Sequence, residues 1–386
     1  MVKKEKNMRF ATPCLRFLAV SALLLPGHAF CAEGVQKDLI KLGQTGDLSG
    51  SRAANTKEFN AGAVAYFDQV NKQGGVFGRR IELISKDDAY KVDRSLVNLR
   101  ELIEKDHVFL IWHTVGTENF IAIEQITTPA RIPVFAPSSG AEILRSPYKR
   151  YVFPVRGGYH AEMEKIVEHL ATVGVTRISV FYDDDSFGKD LLVGIERVMA
   201  RHSLKIHSLA ATDREGKQIG DAAKKIGASM PEATIVGSAG STALRFVQEM
   251  LKQGYNMPYY MNSAINVGAF TKELGGNAHG VAVVQMMPAL NDASVSVARE
   301  YKKVALANPA APQTPKGLEG FVAAKILVEG LKRAGKDLTR EKFVQALESI
   351  QTLDLGGISA RYSATEHTGI TYSDLSVISR DGRALR

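Results

Sequence analysis

From Leu39 onward the chain alternates short apolar runs with longer amphipathic stretches. "LIKLGQTG" and "RRIELISKDD" have strand-length apolar centres, and between them lies "EFNAGAVAYFDQVNKQGG". There Phe59, Ala63, Phe67 and Val70 recur at the spacing of one helix face, and Gly74-Gly75 ends the predicted helix. The alternation continues through "VFLIW", "IPVFA", "RISVFY", "ATIVGS", "MPYYMNS" and "GVAVVQM". Runs this short and apolar suit strands covered on both faces, as in a parallel sheet flanked by helices. Strands alternating with helices predict right-handed βαβ units, and there are more strands than one such sheet comfortably holds. Two sheets are expected.

The C-terminal third changes character. "LEGFVAAKILVEGLKRAG" predicts a long helix, and "LTREKFVQALESI" a second with Thr339 as its N-cap and Lys342 in its first turn. "GGISARYS" and "YSDLSVISRDGR" predict two strands of a late sheet contribution, the second closing on an Asp381-Gly382 turn. No repeat, low-complexity tract or Pro-rich linker interrupts the pattern, so lobes joined by several short crossovers are expected rather than two beads on a tether. A length of 386 residues also divides more naturally into two lobes than one.

Before Leu39 the pattern differs. A basic start precedes "FLAVSALLLPGHAF", an apolar stretch too short to span a bilayer, and then small residues. Residues 1–32 are therefore expected to be a cleaved secretory signal peptide, with Met1 or Met8 as the start. Cleavage fits imperfectly after both Ala29 and Cys31. Cys31 raises a lipid anchor, but "HAFC" has Phe30 directly before the cysteine and lacks the expected leucine. The formal charge of +8 shrinks accordingly. The signal holds five basic residues and one acidic one, so the totals of 49 and 41 become 44 and 40. That mild, dispersed excess argues for no nucleic-acid partner. Cys14 and Cys31 are the only cysteines, which excludes an internal disulfide, a cleft cysteine nucleophile and a thiolate metal site from the mature chain.

The stretch with most chemical promise is "FYDDDSFGKD". As a calcium loop, Asp183, Asp185 and Gly188 fit, but Phe187 occupies a ligand place and Gly194 stands where a glutamate is required. As a catalytic pair the aspartates have no His or Lys placed to work with them. Asp184 or Asp185 capping a helix that begins near Phe187 accounts for the stretch more simply. No His-Glu-x-x-His, Gly-x-Ser-x-Gly, Walker A or Gly-x-Gly-x-x-Gly pattern follows a strand, so no catalysis, metal or cofactor is expected. What recurs is small polar residues at strand carboxyl ends, where open α/β sheets bind ligands. These are Gly116-Thr117, Ser138-Ser139-Gly140, Ser238 with Gly240, and Asn262-Ser263. Each loop alone reads as an ordinary capped turn, but four at corresponding places point to a ligand cleft.

The order of "GDLSG", "NKQGGVFGRRIELISKDD", "PVFAPSSGAE", "RYVFPVRGGY", "RISVFYDDDSFGKD", "VVQMMP" and "LEGFVAAKILVEGLKRAG" resembles the branched-chain amino acid (Leu/Ile/Val-type) substrate-binding proteins of ABC transporters, from about Leu39 to Arg386. The resemblance implies a type I periplasmic binding protein fold: α/β, two doubly wound parallel-sheet lobes joined by three crossovers, with ligand closed between them. On that pattern the first lobe spans 36–155 and 284–351, and the second 156–283 and 352–386. It implies a periplasmic, monomeric receptor that is not an enzyme, binds a small amino acid or other carboxylate, and delivers it to an inner-membrane ABC permease. A same-fold sensor reporting to a signalling partner would have the same sequence pattern, and an α/β enzyme is the third reading. The family's carboxylate-binding loops match Gly116-Thr117 and Ser138-Ser139-Gly140, and its aromatic contact from the second lobe matches Phe187. Arg52, in "LSGSRAAN", is a further candidate for an anionic ligand group, with a solvated loop arginine as the alternative. Two departures matter. The acidic residue that pairs a ligand ammonium in the family falls near Ala264, and Tyr90 and Val115 stand near the places of a disulfide found in several members. A carboxylate without an amine therefore suits this chain better than an ordinary α-amino acid.

Overall fold

The computed structural model describes residues 1–2 and 33–385. The signal-peptide reading, Cys14 and Cys31 fall almost wholly outside that range. Five strands form a first, all-parallel sheet: β1 (Leu39–Gly46), β2 (Arg80–Asp87), β3 (Leu110–Trp112), β4 (Val134–Phe135) and β5 (Val152–Phe153). Their order is β2-β1-β3-β4-β5, and the connecting helices are α1 (Ala53–Lys72), α2 (Val92–Glu104) and α3 (Thr117–Thr127). The face of α1 read from the sequence is the buried one, since Phe59, Ala63, Phe67 and Val70 all enter the core.

The chain then crosses through α4 (Tyr159–Thr172) into a second sheet. Its parallel strands are β6 (Ile178–Asp183), β7 (Ser208–Thr212), β8 (Ala233–Gly237), β9 (Tyr259–Met261) and β10 (Ala282–Gln285). Helices α5 (Ser186–Arg201), α6 (Ile219–Ala228), α7 (Gly240–Lys252) and α8 (Val267–Leu274) connect them. β5 and β7 were not singled out from the sequence: one has two residues, and the other, "SLAAT", lacks the bulky apolar centre of its neighbours.

After β10 the chain returns to the first lobe with α9 (Ser296–Ala307), α10 (Pro315–Ala334) and α11 (Arg340–Glu348). Thr339 caps α11 as expected, accepting from the Lys342 amide at 3.1 Å. A small antiparallel sheet follows, made of β11 (Gln351–Asp354), β12 (Ser359–Ser363) and β13 (Glu366–Ile370). Here the expected division at residue 351 differs from the structure. Ile358, Ala360, Tyr362 and Ile370 are buried in the same core as Phe109 and Phe343 of the first lobe, and Tyr362 donates to the Pro154 carbonyl at 2.9 Å. Only the last crossover, after Ile370, returns the chain to the second sheet, where β14 (Asp374–Ile378) pairs antiparallel with β10 and β15 (Ala384–Leu385) closes the edge. "GGISARYS" and "YSDLSVISRDGR" thus belong to different sheets.

The fold is α/β, with two doubly wound lobes joined by three crossovers, as expected from the sequence. One packing detail fixes the edge of the cleft between the lobes. Helices α1 and α10 touch backbone to backbone: a Cβ on Gly62 would lie 1.9 Å from the Gly317 carbonyl oxygen, and one on Gly320 1.9 Å from that of Phe59. Only glycine permits that approach, and it holds the first turn of α10, with Lys316, against the cleft end of α1. Among the described residues no helix is long and apolar enough to cross a membrane.

Candidate functional site

The strand carboxyl ends of both sheets converge on a small interlobe cavity of about 30 Å³. Arg52, Tyr90, Gly116, Thr117, Ser138 and Lys316 line it from the first lobe, and Phe187, Ala239 and Ala264 from the second, with Arg156 and Tyr159 at the first crossover. Local chemistry sets each in place. Asp47 folds the loop ahead of α1 by accepting from the amides of Gly50 at 2.5 Å and Arg52 at 2.7 Å, which turns Arg52 inward. Gly116 has φ of 98° and lies against the Tyr90 ring, where a Cβ would come within 2.6 Å. Asp185 caps α5 by accepting from the amides of Phe187 and Gly188, both at 3.0 Å. The capping reading of the aspartate cluster therefore holds for Asp185, and the cap delivers Phe187 to the cavity wall.

The polar groups are paired in a particular way. Arg52 Nη2 donates to Asp183 across the lobes at 3.0 Å, while Nη1 is buried without an acceptor. Ser238 donates to the other Asp183 oxygen at 2.6 Å. Burial raises the Asp183 carboxyl to about 6, against the opposing pull of Arg52. Arg156 is 2% exposed. It donates through Nη2 to Glu162 at 3.1 Å and to the Ser263 hydroxyl, and its Nε has no acceptor. Burial raises Glu162, with Arg156 and Ser263 working against it. Lys316 pairs with Glu319 at 2.5 Å. Burial alone would raise Glu319, but Lys316 and Arg156 outweigh it and hold the group low. Three cations thus line the cavity and none of their carboxylate partners does. Aromatic faces complete the wall: the Arg52 guanidinium lies 5.0 Å from the Tyr90 ring centre and that of Arg156 5.1 Å from Tyr159, which meets Phe187 edge-on at 5.2 Å.

Of the residues singled out from the sequence, Arg52, Gly116, Thr117, Ser138 and Phe187 come together on this cavity. Ser139 stands behind it, sharing a 2.8 Å hydrogen bond with Thr117 and accepting from the Ala141 amide. Gly140 packs under Tyr159 and accepts from its amide at 2.8 Å. Ser238 and Asn262 support the second lobe: Asn262 donates to the Val236 and Ser238 carbonyls and accepts from the Ala264 amide. Ser263 is bound to Glu162 and lines a larger neighbouring cavity. Tyr90, Arg156, Tyr159 and Lys316 were missed. Tyr90 follows β2, so the strand-end signal that found the other loops applied to it as well, whereas Arg156 follows β5, which is too short to be read as a strand. Lys316 had no such signal, because it opens a helix after a crossover. Among the described residues no cluster of three or more His, Cys, Asp or Glu could hold a metal ion.

A family model described as periplasmic binding protein matches residues 39–383. The chain belongs to the periplasmic binding protein family. Within it the resemblance is to the Leu/Ile/Val-binding type. The leucine-, isoleucine-, valine-, threonine- and alanine-binding protein of Pseudomonas aeruginosa is 21% identical over 348 residues, covering 83% of this chain and 85% of that one. A substrate-binding periplasmic protein from Ralstonia solanacearum is 32% identical with a TM-score of 0.84, over 90% of this chain and 99% of that one. A possible leucine/isoleucine/valine-binding protein from Rhodopirellula baltica shares the fold at a TM-score of 0.85 and 24% identity, over 90% and 96% of the two chains. The fold and the family are those of substrate-binding proteins, and the family implies a periplasmic location.

Proposed function

We propose that this protein is an exported, monomeric receptor, not an enzyme, that binds a small carboxylate without an amine and passes it to an inner-membrane ABC permease. The observation that carries the ligand assignment is the charge of the cavity wall. Arg52, Arg156 and Lys316 line it without a carboxylate, and Arg52 Nη1 and Arg156 Nε are buried donors without acceptors. Buried donors of this kind are costly unless an acceptor meets them, and an anionic group does so most strongly. An ammonium in the same space would meet the three cations directly, since their paired carboxylates Asp183, Glu162 and Glu319 do not line the cavity, and Ala264 stands where an acid would be needed beside it. In this reading the Gly116-Thr117 loop and Ser138 hold the carboxylate with the arginines, Phe187 and the tyrosines cover the apolar part, and Ser139, Gly140, Ser238, Asn262 and Ser263 support the wall. The lobes are taken as 36–155 with 284–370, and 156–283 with 371–386.

The amino acids named for the Pseudomonas relative make an α-amino acid the competing ligand class. Calorimetry against leucine, phenylalanine and their deaminated analogues separates the two. The analogues are expected to bind and the amino acids to bind weakly. Tight binding of the amino acids alone would overturn the reading.

A further inference from the structure

Asn55 and Lys316, which line the inner cavity, also line a second, larger cavity of about 700 Å³, so the two spaces adjoin at these side chains. Its walls come from both lobes and from the second and third crossovers. Ile265 and Val267 contribute from the β9–α8 turn, and Met286, Met287, Ala289 and Leu290 from the strand end after β10. Charged groups of both signs also line it, Glu58, Asp292 and Glu319 as well as Lys302 and Arg383. At the junction, Asn55 donates to the Ala264 carbonyl at 2.8 Å, and its Oδ1 is buried without a donor.

We infer that the ligand is an amphipathic acid, whose carboxylate sits among Arg52, Arg156 and Lys316 and whose apolar body runs past Asn55 into the cavity lined by Ile265, Met286, Met287 and Leu290. The inference rests on the carboxylate reading above and adds the body of the ligand to it. Three observations support it. The inner cavity, at about 30 Å³, is far smaller than its neighbour at about 700 Å³, so the room for a sizeable side chain lies in the larger one. The larger cavity adjoins it at two shared residues and presents mainly apolar surface, to which Ile265, Met286, Met287 and Leu290 contribute, and such surface favours an apolar occupant in proportion to the area removed from water. Methionines are unbranched and adaptable, so Met286 and Met287 can follow chains of different length or shape.

The test is a calorimetric series of acetate, butyrate, hexanoate, octanoate and decanoate, with benzoate and 4-phenylbutyrate, on the mature wild-type protein, on two cavity variants and on Arg52→Ala. Ala289→Trp fills the larger cavity and Leu290→Asn makes its wall polar; the second variant keeps the test decisive if the first does not fold, as judged by circular dichroism. Wild-type affinity is expected to rise by roughly fourfold per added methylene over the middle of the series. In a folded variant the gain beyond butyrate should be lost, while binding of the shortest acids stays within about twofold of wild type. Acids that bind with no dependence on length, or long acids that are excluded while short ones bind, overturn the amphipathic ligand and leave the carboxylate reading intact. A gain that persists in a folded variant places the apolar body elsewhere and overturns the inference. Acids that bind equally well after Arg52→Ala, or none that bind at all, overturn the carboxylate reading and this inference with it.

Discussion

Arg52 has two possible partners in one place, Asp183 at 3.0 Å and whatever anion meets its free Nη1. Removing the guanidinium should therefore hit an anionic ligand hard. Arg52→Ala is expected to weaken a bound carboxylate by about 1.5–3 kcal/mol, read as Kd by calorimetry. A loss no larger than that of a surface charge would return Arg52 to a structural role. Asp183 makes the pH dependence predictable. Its carboxyl, buried and raised to about 6, competes with the ligand for Arg52 only while it is ionised. An arriving carboxylate adds negative charge beside it and raises its proton affinity further, so binding takes up a proton. Affinity should thus increase as the pH falls from neutral towards 6, by at most about tenfold per pH unit. Asp183→Asn should flatten that dependence, and a wild-type Kd constant over this window would show that Asp183 and the ligand do not compete.

At the scale of elements, the cleft depends on how closely α1 and α10 pack. The glycine at 320 faces a backbone carbonyl of α1, which cannot move aside as a side chain could. Gly320→Ala is expected to destabilise the protein by about 1–3 kcal/mol, measured by urea unfolding, because the helices must separate. Since Lys316 is one turn away on α10, the same variant should also weaken carboxylate binding. Gly220, exposed near the start of α6 with nothing within 4 Å of its missing Cβ, is the control. There Gly→Ala should stabilise by about 0.4–1 kcal/mol, since it only restricts the unfolded chain. Opposite signs at two helical glycines would confirm that close approach, and not helix propensity, governs the α1–α10 contact.

Across the whole molecule, polar contacts tie the lobes together around the cavity. Besides the Arg52–Asp183 pair, Asn266 donates to Glu58 at 2.8 Å, Arg214 to Glu118 at 2.7 Å, and Arg214 stacks over Tyr90 at 4.1 Å. A ligand held by groups from both lobes binds the folded, closed protein and not the unfolded chain. It should raise the melting temperature with the logarithm of its concentration, and stabilise by about 2.7 kcal/mol at a hundredfold excess over Kd. Differential scanning fluorimetry across a carboxylate dilution series reads this directly; a melting temperature independent of concentration would mean that the carboxylate does not bind the folded protein in preference to the unfolded chain.

Much of this protein was decided by local pattern. The runs at "LIKLGQTG" and "RRIELISKDD", the buried stripe Phe59-Ala63-Phe67-Val70, and the caps at Thr339 and Asp185 all appear where periodicity and turn chemistry put them. These features rest on contacts within a few residues, or on burial that any neighbouring layer can supply, so they are legible without knowing what packs against them. The strand-end loops were legible for the same reason, since a βα turn carries its small polar residues with it. Which of those loops reach the cavity was decided only by the tertiary structure. Ser138 and Thr117 line the cavity while Asn262 and Ser238 brace the second lobe, although all four look alike in sequence. Arg156 and Lys316, far apart in the chain, meet because two crossovers bring them to one place, and the assignment of 351–370 to the first lobe depends on a core formed with Phe109 and Phe343. Charge at a site is a sum over groups distant in sequence but within a few ångströms in space, and only the folded chain brings those groups together.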